Sequence, residues 1–447
     1  MTLPGLRPIP LLGRTGGLAR FFSDPIGALH RLRVLGDVVA LNRGDPTLIA
    51  AFGAAHNRVV LSDSARFQHF ADPPFPVPPA SSAARLMNAL TSMNGEHHRR
   101  HRRLMQPAFS RTAVEGYRDA TVEVTRRYLD RWRPDRQVDL VEEMVQLTLR
   151  VAARTLFGID VDDDAAAFGD LSLRVLTGLT DVRNMLFPVR WGPTPMARYL
   201  RDCEVMEAKL RALLAERRAR AGQGRDVLSL LIAAHDDDGA ALTDDELIGH
   251  TNVLFIAGHE TTAFTLAWTL LLLAQHPDVA DALDAELARL PGPPEVGDLA
   301  ALPVLDGVLK ESMRLLPATP FLFIRQADGG AEIGGHALPP GAWLLLSPLI
   351  THRDPDRFPD PLAFRPARWE GLAPTPHEYL PFGAGPRMCL GAGFAAQTLR
   401  LVLPMILRDW RPELPPAGVR VDLRTQGITM GPAPALPATL RRPGGPR

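Results

Sequence analysis

The sequence predicts a mainly α-helical protein with a small β-region. Helical periodicity dominates from about residue 93 to 290, whereas short apolar runs with Gly and Pro turns occupy residues 36–62 and 322–350. We therefore expect a β-rich part at roughly 30–65 and 322–350 with further C-terminal strands, and a helical part at roughly 93–320 and 389–410. No linker, long charge run or internal repeat divides the 447 residues, so a single domain 1–447 is expected.

Composition narrows the classes of function. Apolar residues make up 46% of the chain and the formal net charge is zero, so the overall charge indicates neither a nucleic-acid partner nor a membrane surface. Cys203 and Cys389 are far apart in sequence, which favours a reducing compartment over a disulfide framework. Residues 1–13 are interrupted by prolines and contain no apolar stretch long enough for a signal peptide or membrane anchor. These features predict a cytoplasmic protein without a membrane anchor.

The first strands are expected near the N-terminus. Residues 36–41 and 47–52 are short apolar runs separated by a polar segment with Gly and Pro, which predicts a β-hairpin. The proline-rich residues 68–82 are expected to form a loop. Residues 187–195 and the acidic turn 236–239 interrupt the helical region that follows.

The longest predicted helix begins at Thr243 and extends to about Gln275. Thr243 and Glu246 have the spacing of a capping box, and a long apolar run follows them.

A polar interruption lies inside this helix, at Ala257-Gly-His-Glu-Thr-Thr262. Gly258 costs roughly 1 kcal/mol relative to Ala in a helix interior, and Glu260, Thr261 and Thr262 are unfavourable if they are buried without partners. The interruption indicates either a functional site or a helix with one polar face.

The most informative segment lies near the C-terminus and has the pattern Phe382-x-x-Gly385-x-Arg387-x-Cys389-x-Gly391. Glycines let the backbone approach a flat ligand closely. Arg387 and the N-terminus of the helical stretch that follows favour the thiolate form of Cys389. A cysteine in such a loop is suited to be the axial thiolate ligand of a haem iron. The alternative is a turn with an inert cysteine, but the pattern would arise by chance on the order of 10⁻⁴ times in a chain of this length.

This segment resembles the haem-binding loop of the cytochrome P-450 superfamily of haem-thiolate monooxygenases. The resemblance implies the fold of that superfamily, in which a long oxygen-binding helix crosses the haem and a Cys-ligand loop precedes the next helix. It implies haem b (iron protoporphyrin IX) as cofactor and O2 as co-substrate. It also implies that Cys389 is the iron ligand, that Arg387 contacts a haem propionate, and that Phe382 and Gly391 belong to the cofactor-binding loop.

The polar interruption is similar to the oxygen-binding helix of the superfamily. By this resemblance Ala257 and Gly258 leave room above the haem. Thr261 hydrogen-bonds oxygen or a water molecule, and Glu260 relays protons from solvent.

Charged residues elsewhere are similar to other superfamily motifs. Glu311 and Arg314, three residues apart, are implied to form a buried ion network with Arg368 on the proximal side of the haem. Arg325 is implied to be a further propionate ligand.

A strongly basic helix is predicted at residues 95–103. The resemblance places propionate-binding residues at His98 and Arg102. It leaves a basic surface suited to an acidic electron donor, formed by Arg99, Arg100 and Arg103. A metal site is the alternative for the histidines of this helix, but no Cys or carboxylate cluster completes it in the sequence and arginines intervene. The histidines concerned are His97, His98 and His101.

A group of mostly apolar residues is expected to line the substrate pocket, although each is equally compatible with an ordinary place in the core. The group consists of Phe75, Met87, Phe187, Val253, Ile256, Thr319, Phe321 and Phe323.

The sequence thus predicts a monooxygenase that hydroxylates or epoxidises an apolar substrate. The chain is too short to include a reductase as well, so a ferredoxin or flavodoxin with an NAD(P)H-dependent reductase is expected to supply electrons to a monomeric enzyme. The alternatives are a haem-thiolate peroxygenase or rearrangement enzyme and a non-catalytic haem sensor. Glu260 and Thr261 disfavour the first alternative, because such enzymes can dispense with a proton relay, and a sensor is expected to carry an output domain.

Overall fold

The computed structural model describes residues 3–8, 13–70, 75–159, 164–220, 224–414, 422–426, 429–433 and 435–443. Part of the N-terminal run used above to argue against an anchor, residues 1–2 and 9–12, lies outside these ranges.

The described residues are mostly helical, as expected. The helices are α1 (Gly13–Ser23), α2 (Pro25–Leu35), α3 (Ala54–Ser62), α4 (Ser82–Met87), α5 (Gly95–Met105), α6 (Arg111–Gly116), α7 (Arg118–Leu129), α8 (Leu140–Phe157), α9 (Asp164–Thr180), α10 (Val182–Leu186), α11 (Pro195–Ala219), α12 (Val227–Ala233), α13 (Asp244–Gln275), α14 (Pro277–Leu287), α15 (Pro303–Leu315), α16 (Pro348–Thr351) and α17 (Ala392–Asp409). The strands are β1 (Gly5–Leu6), β2 (Val38–Asn42), β3 (Leu48–Ala51), β4 (Phe67–His69), β5 (Gln137–Asp139), β6 (Arg325–Ala327), β7 (Glu332–Ile333), β8 (His336–Ala337), β9 (Trp343–Leu346), β10 (Arg411–Glu413), β11 (Asp422–Gln426), β12 (Thr429–Ala433) and β13 (Pro437–Arg441).

The expected boundaries need two corrections. Helices α1–α4 precede residue 93, and α3 with the end of α2 lies inside the range expected to be β-rich. Asp24 caps α2 through a hydrogen bond from Gly27 N–H, and Pro25 starts the helix, a local signal that the sequence contains. Strand β5 lies inside the expected helical range because it pairs with β13, about 300 residues away in sequence.

Backbone contacts divide the chain into two compact units. Unit 1 comprises residues 1–71, 307–389 and 423–431, and unit 2 comprises residues 72–306, 390–422 and 432–447.

Unit 1 is built on a mixed sheet with the strand order β1-β2-β3-β9-β6-β4. The expected hairpin is confirmed, since β2 and β3 pair antiparallel with Val38 opposite Ala51. Alternate residues of these strands enter two different apolar clusters: Val38 and Ala40 lie in one, Val39 and Leu41 in the other. The sheet is therefore buried on both faces.

Unit 2 is organised around α13, which begins with the expected capping box and ends at Gln275 as predicted. Gly249 lies against the end of α4, where an added Cβ would meet Asn88 O at 2.0 Å. Asn252 Nδ2 donates to Leu86 O at 3.1 Å on the same side. None of the helices in the described residues is long and apolar enough to cross a membrane.

Candidate active site

The loop that ends at Cys389 lies in unit 1 and is fixed by its own backbone. Cys389 N–H donates to Phe382 O at 2.8 Å, and Met388 N–H donates to Gly385 O at 3.0 Å. Gly383 and Gly385 have φ values of 68° and 71°, a conformation that residues with a side chain rarely adopt. Cys389 is exposed, so its sulfur is accessible to a ligand.

Gly385 is constrained a second time by close packing. A Cβ added there would lie 2.1 Å from the carbonyl oxygen of Leu61 at the end of α3. A backbone oxygen cannot move aside as a flexible side chain can, so only glycine fits this position.

Arg325 and Arg387 create a positive site in the same unit. Arg325 lies on β6 and is only 5% exposed. Its Nε and Nη1 are buried without a hydrogen-bond partner among the described residues. Burial, and then the charge of Arg387, lower the pKa of Arg325 to about 9, so it remains a cation at neutral pH.

A buried guanidinium without a partner is unfavourable unless an anion is bound beside it. The carboxylates of a haem are such anions, and the accessible sulfur of Cys389 belongs to the same unit. The residues present therefore fit a haem-thiolate group.

The three predicted members of the ion network come together in unit 1. Arg314 donates from Nε and Nη2 to the two carboxylate oxygens of Glu311, at 2.9 Å each. Arg368 Nε donates to Glu311 Oε1 at 2.9 Å. Trp369 Nε1 donates to Oε2 at 3.0 Å, and Arg365 N–H to Oε1 at 3.0 Å. Sequence reasoning missed Trp369, although it directly follows Arg368.

The network also supports the start of the cysteine loop through His352. Arg314 Nη1 donates to His352 O at 2.9 Å, and Leu380 N–H donates to His352 Nε2 at 2.7 Å. Burial, and then the charge of Arg314, lower the pKa of His352 to about 3, so the ring is neutral and can accept this bond. Leu380 is the residue before Pro381, where the loop motif begins. No local sequence signal marks His352.

In unit 2, helix α13 is buried except along one stripe. Positions 253, 257 and 261 are four residues apart and therefore share a face of the helix. Between Leu247 and Leu273 the positions that are not buried are Val253, Leu254, Ile256, Ala257, Gly258 and Thr261. The stripe is apolar up to the hydroxyl of Thr261.

Thr261 occupies the polar end of this stripe. Thr261 Oγ1 donates to Ala257 O at 2.9 Å, which leaves its oxygen lone pairs to accept a hydrogen bond from water. Glu260 precedes it in sequence and is buried, with 6% exposure. A buried carboxyl group next to a hydroxyl can hold a proton and pass it on.

Gly258 requires a correction to the expected role. An added Cβ would meet Leu156 Cδ1 on α8 at 2.9 Å, so this glycine permits close packing of α8 against α13. Of Ala257 and Gly258, which were both expected to leave room for the cofactor, Ala257 is the exposed residue. His259 is buried, its Nδ1 bonded to Phe255 O at 2.7 Å, and it is not part of the exposed stripe.

The comparison with known families finds one match that covers nearly the whole chain. The family model for cytochrome P-450 matches residues 3–437. The chain belongs to the cytochrome P-450 family.

Named relatives of the chain are oxygenases. The chain is 34% identical over 445 residues to cyclooctat-9-en-7-ol 5-monooxygenase of Streptomyces melanosporofaciens, covering 97% of this chain and 94% of the relative. It is 33% identical to pentalenene oxygenase of Streptomyces avermitilis, covering 74% of this chain and 75% of the relative. A solved structure of a cyanobacterial cytochrome P-450 with bound retinoic acid is similar, with a TM-score of 0.85, 26% identity, and coverage of 98% of this chain and 99% of the other.

These comparisons confirm the predicted fold and the predicted activity of a cytochrome P-450 monooxygenase. The family uses a haem-thiolate cofactor and O2, and its members generally receive electrons from redox partners.

The basic helix of this cytochrome P-450 is α5, in unit 2. His98 is buried and Arg102 partly buried, one turn apart on the same face. The expected basic surface is smaller than predicted, because Arg100 Nε pairs with Asp236 at 2.6 Å. Arg99 and Arg103 both pair with Glu96, whose carboxylate offsets one of their two charges.

Three of the residues expected to line the substrate pocket lie in unit 1, and they differ in solvent exposure. Phe321 is 5% exposed and packs in an apolar cluster, its ring centroid 5.6 Å from that of Phe21. It therefore has the environment of a core residue, which is the alternative that the sequence left open for it. Thr319 is partly buried, whereas Phe323 is 49% exposed.

In unit 2, Phe75 is buried edge-to-face against Tyr199, at 5.5 Å between ring centroids. Met87 Sδ lies 4.0 Å from the hydroxyl of the same tyrosine. Phe187 is 69% exposed. Val253 and Ile256 lie on the exposed stripe of α13.

Proposed function

We propose that this cytochrome P-450 inserts one oxygen atom of O2 into a C–H or C=C bond of an apolar cyclic terpenoid, with a haem b ligated by the Cys389 thiolate. The other oxygen atom leaves as water, formed with two electrons from the redox partner and two protons. The observation that carries the haem assignment is the pair of cations formed by Arg387 and the buried Arg325, whose Nε and Nη1 have no partner among the described residues, in the unit that contains the exposed Cys389. When bound, the haem supplies the iron chemistry that activates O2.

The protein residues would hold the cofactor from several elements. Arg325 and Arg387 would bind the propionate carboxylates through charge-assisted hydrogen bonds. His98 and Arg102 are proposed as further propionate partners. The Glu311 network and His352 would keep the loop of Cys389 in place.

The residues of α13 would control water and protons. The apolar positions of the stripe, such as Val253 and Ile256, would contact the substrate and exclude water. The hydrogen of the Thr261 hydroxyl is engaged with Ala257 O, so its oxygen would accept a hydrogen bond from a water molecule. This bond would orient that water molecule for proton transfer. Glu260 would take up a proton from solvent and pass it towards that water.

The substrate class rests on two observations. The names of the two Streptomyces relatives describe oxidation of cyclooctat-9-en-7-ol and of pentalenene. The stripe of α13 presents apolar side chains apart from one hydroxyl, which suits a hydrocarbon skeleton.

Electrons are proposed to come from a separate ferredoxin or flavodoxin with its NAD(P)H-dependent reductase. Arg99 and Arg103 on α5 remain exposed for an acidic donor, with Glu96 reducing their combined charge. Charge reversal of both should therefore raise the apparent KM for the donor, and added salt should do the same.

Three further properties are part of the proposal: a single domain, a monomeric state and a cytoplasmic location. The single domain agrees with a family match that spans residues 3–437. The cytoplasmic location agrees with a sequence whose two cysteines, Cys203 and Cys389, are too few and too far apart for a disulfide framework.

The proposal is tested with haem-loaded protein, a surrogate ferredoxin system and a panel of cyclic terpenes, linear fatty acids and macrolides under ¹⁸O2. A cyclic terpene should shift the ferric spin state most strongly and yield product that carries one ¹⁸O atom. A fatty acid or macrolide that binds and reacts better would contradict the substrate class. Efficient product formation from hydrogen peroxide without a donor would favour the peroxygenase alternative.

A further inference from the structure

A cluster of two histidines and one carboxylate lies at the start of α13, separate from the residues proposed to hold the haem. We call it the His–Glu cluster; it consists of His97 and His101 on α5 and Glu246 on α13. His101 Nε2 lies 3.2 Å from Glu246 Oε1, and His97 Nε2 lies 3.8 Å from the same oxygen. The three ligand atoms all lie within 4.8 Å of one another. All three residues belong to unit 2.

Local helix geometry directs each of these side chains into the cluster. His97 and His101 are four residues apart, so they share one face of α5, and their rings contact edge-to-face at 4.4 Å. Glu246 Oε2 accepts the N–H of Thr243 at 2.8 Å in the capping box. This bond fixes the carboxylate and leaves Oε1 facing the two imidazoles.

His250, one turn after Glu246 on α13, orients the inner histidine. His101 is fully buried, and its Nδ1 lies 2.8 Å from His250 Nε2. When Nδ1 of His101 carries the proton and donates to His250, Nε2 of His101 presents a lone pair towards Glu246 Oε1. Protein metal ligands of the imidazole type generally have such an outer partner on the second ring nitrogen.

The charges around the cluster are compatible with a bound cation. Arg100 Nη1 lies 3.5 Å from His101 Nε2, but its guanidinium is paired with Asp236 at 2.6 Å.

We propose that the His–Glu cluster binds a divalent transition-metal ion, with Zn²⁺ as the best match. Imidazole nitrogen and carboxylate oxygen bind Zn²⁺ at about 2.0–2.2 Å, which in a tetrahedron places ligand atoms about 3.3 Å apart. The separation between His101 and Glu246 already meets this value. The side chain of His97 is 53% exposed, so it can rotate to shorten its 3.8 Å separation from Glu246 Oε1 and its separation from the ligand atom of His101, which is at most 4.8 Å. Solvent completes the fourth position.

The ion would connect two helices of unit 2. It would join α5 to the first turn of α13. Helix α5 also carries His98 and Arg102, and Glu260 and Thr261 lie further along α13. Binding to the folded state alone stabilises that state by mass action. Because protons and a metal ion compete for the same imidazole nitrogens, the affinity for Zn²⁺ should fall as the pH decreases.

The test uses haem-loaded protein that has been freed of extraneous metal by a chelator, with Zn²⁺ binding measured by equilibrium dialysis and calorimetry. Wild-type protein should bind one tight equivalent and melt a few degrees higher with saturating Zn²⁺. His97→Ala and Glu246→Gln should each weaken this binding by about tenfold or more, since even outer partners of metal ligands contribute 10–100-fold. Glu246→Gln keeps an amide oxygen for the Thr243 cap, and His97→Ala alters a half-exposed side chain, so both should fold.

Matched controls separate this site from general histidine binding, because the chain contains 13 histidines. His336→Ala removes an imidazole of β8, and Glu96→Gln removes an exposed carboxylate next to His97 on α5. Both should keep the wild-type affinity, and the haem content of every variant verifies its fold. The proposal is overturned if wild-type protein binds no tight equivalent. It is also overturned if His97→Ala and Glu246→Gln bind Zn²⁺ as tightly as the controls. Neither outcome affects the proposed oxygenase function, which does not use this cluster.

Discussion

The loop of Cys389 and the stripe of helix α13 use different kinds of structure to present reactive groups. The loop is irregular, and its shape depends on Gly383 and Gly385 at positive φ and on a buried ion network behind it. Helix α13 is regular from Asp244 to Gln275, and only the packing of its neighbours decides which residues are exposed. Irregular backbone requires particular residues at fixed positions, whereas a helix tolerates many. Substitutions in the loop should therefore abolish the cofactor site, and substitutions on the stripe should change the course of the reaction.

The largest effect is expected for Cys389→Ser. Loss of the thiolate should eliminate the strongly red-shifted Soret band that reduced protein with carbon monoxide gives when haem has a thiolate ligand. Cys203→Ser is the matched control, because Cys203 is buried and burial raises the pKa of its thiol to about 12. Loss of the band in Cys203→Ser instead would show that the ligand is assigned to the wrong cysteine.

The next largest effect is expected for Glu311→Gln. The change strands Arg314 and Arg368 next to a neutral amide, and loss of one partner of a buried pair costs about 3–5 kcal/mol of unfolding free energy. Denaturant unfolding and haem content should both decrease. Glu115→Gln removes a carboxylate from an exposed pair with Arg111 and should leave both unchanged. Equal effects of the two changes would refute the role of the network.

A pair of glycine substitutions separates backbone strain from close packing in the loop. Gly383→Ala should cost about 1–2 kcal/mol, because it introduces a side chain at positive φ with open space around it. Gly385→Ala should cost more and should lower haem retention, because its Cβ would also collide with Leu61 O. Similar unfolding free energies for the two variants would show that the contact with Leu61 is unimportant.

The smallest effect on stability, but a specific effect on the reaction, is expected for Thr261→Ala. Haem content and the substrate-induced spin shift should persist, while the product formed per electron consumed should fall severalfold and hydrogen peroxide should rise. Thr269→Ala is the matched control, because Thr269 Oγ1 makes the same bond to the carbonyl four residues earlier but is fully buried. Intact coupling in Thr261→Ala would remove Thr261 from proton delivery.

The sequence was sufficient for features that depend on neighbours along the chain. The capping box at Thr243 and the end of α13 at Gln275 were predicted from local signals and confirmed. The loop pattern around Cys389 identified the family, because tight backbone turns and a cationic neighbour need particular residues at fixed spacing.

Other features could not be read from the sequence because they depend on distant residues. The pairing of Arg100 with Asp236 reduced the expected basic surface, and Phe321 packs against Phe21 in an apolar cluster of unit 1. Gly258 was expected to leave room for a cofactor, and it instead faces Leu156 of α8.

The sequence by itself therefore determined the family, the extent of the long helix and the identity of the cysteine loop. Only the tertiary structure decided which face of α13 is open, how Trp369 and His352 support the loop, and that Glu246 supplies the carboxylate that the histidines of α5 lack. Periodicity and capping act over a few residues and leave a pattern in the sequence. Contacts between residues that are tens to more than a hundred positions apart are selected by the packing of whole elements, which no short pattern encodes.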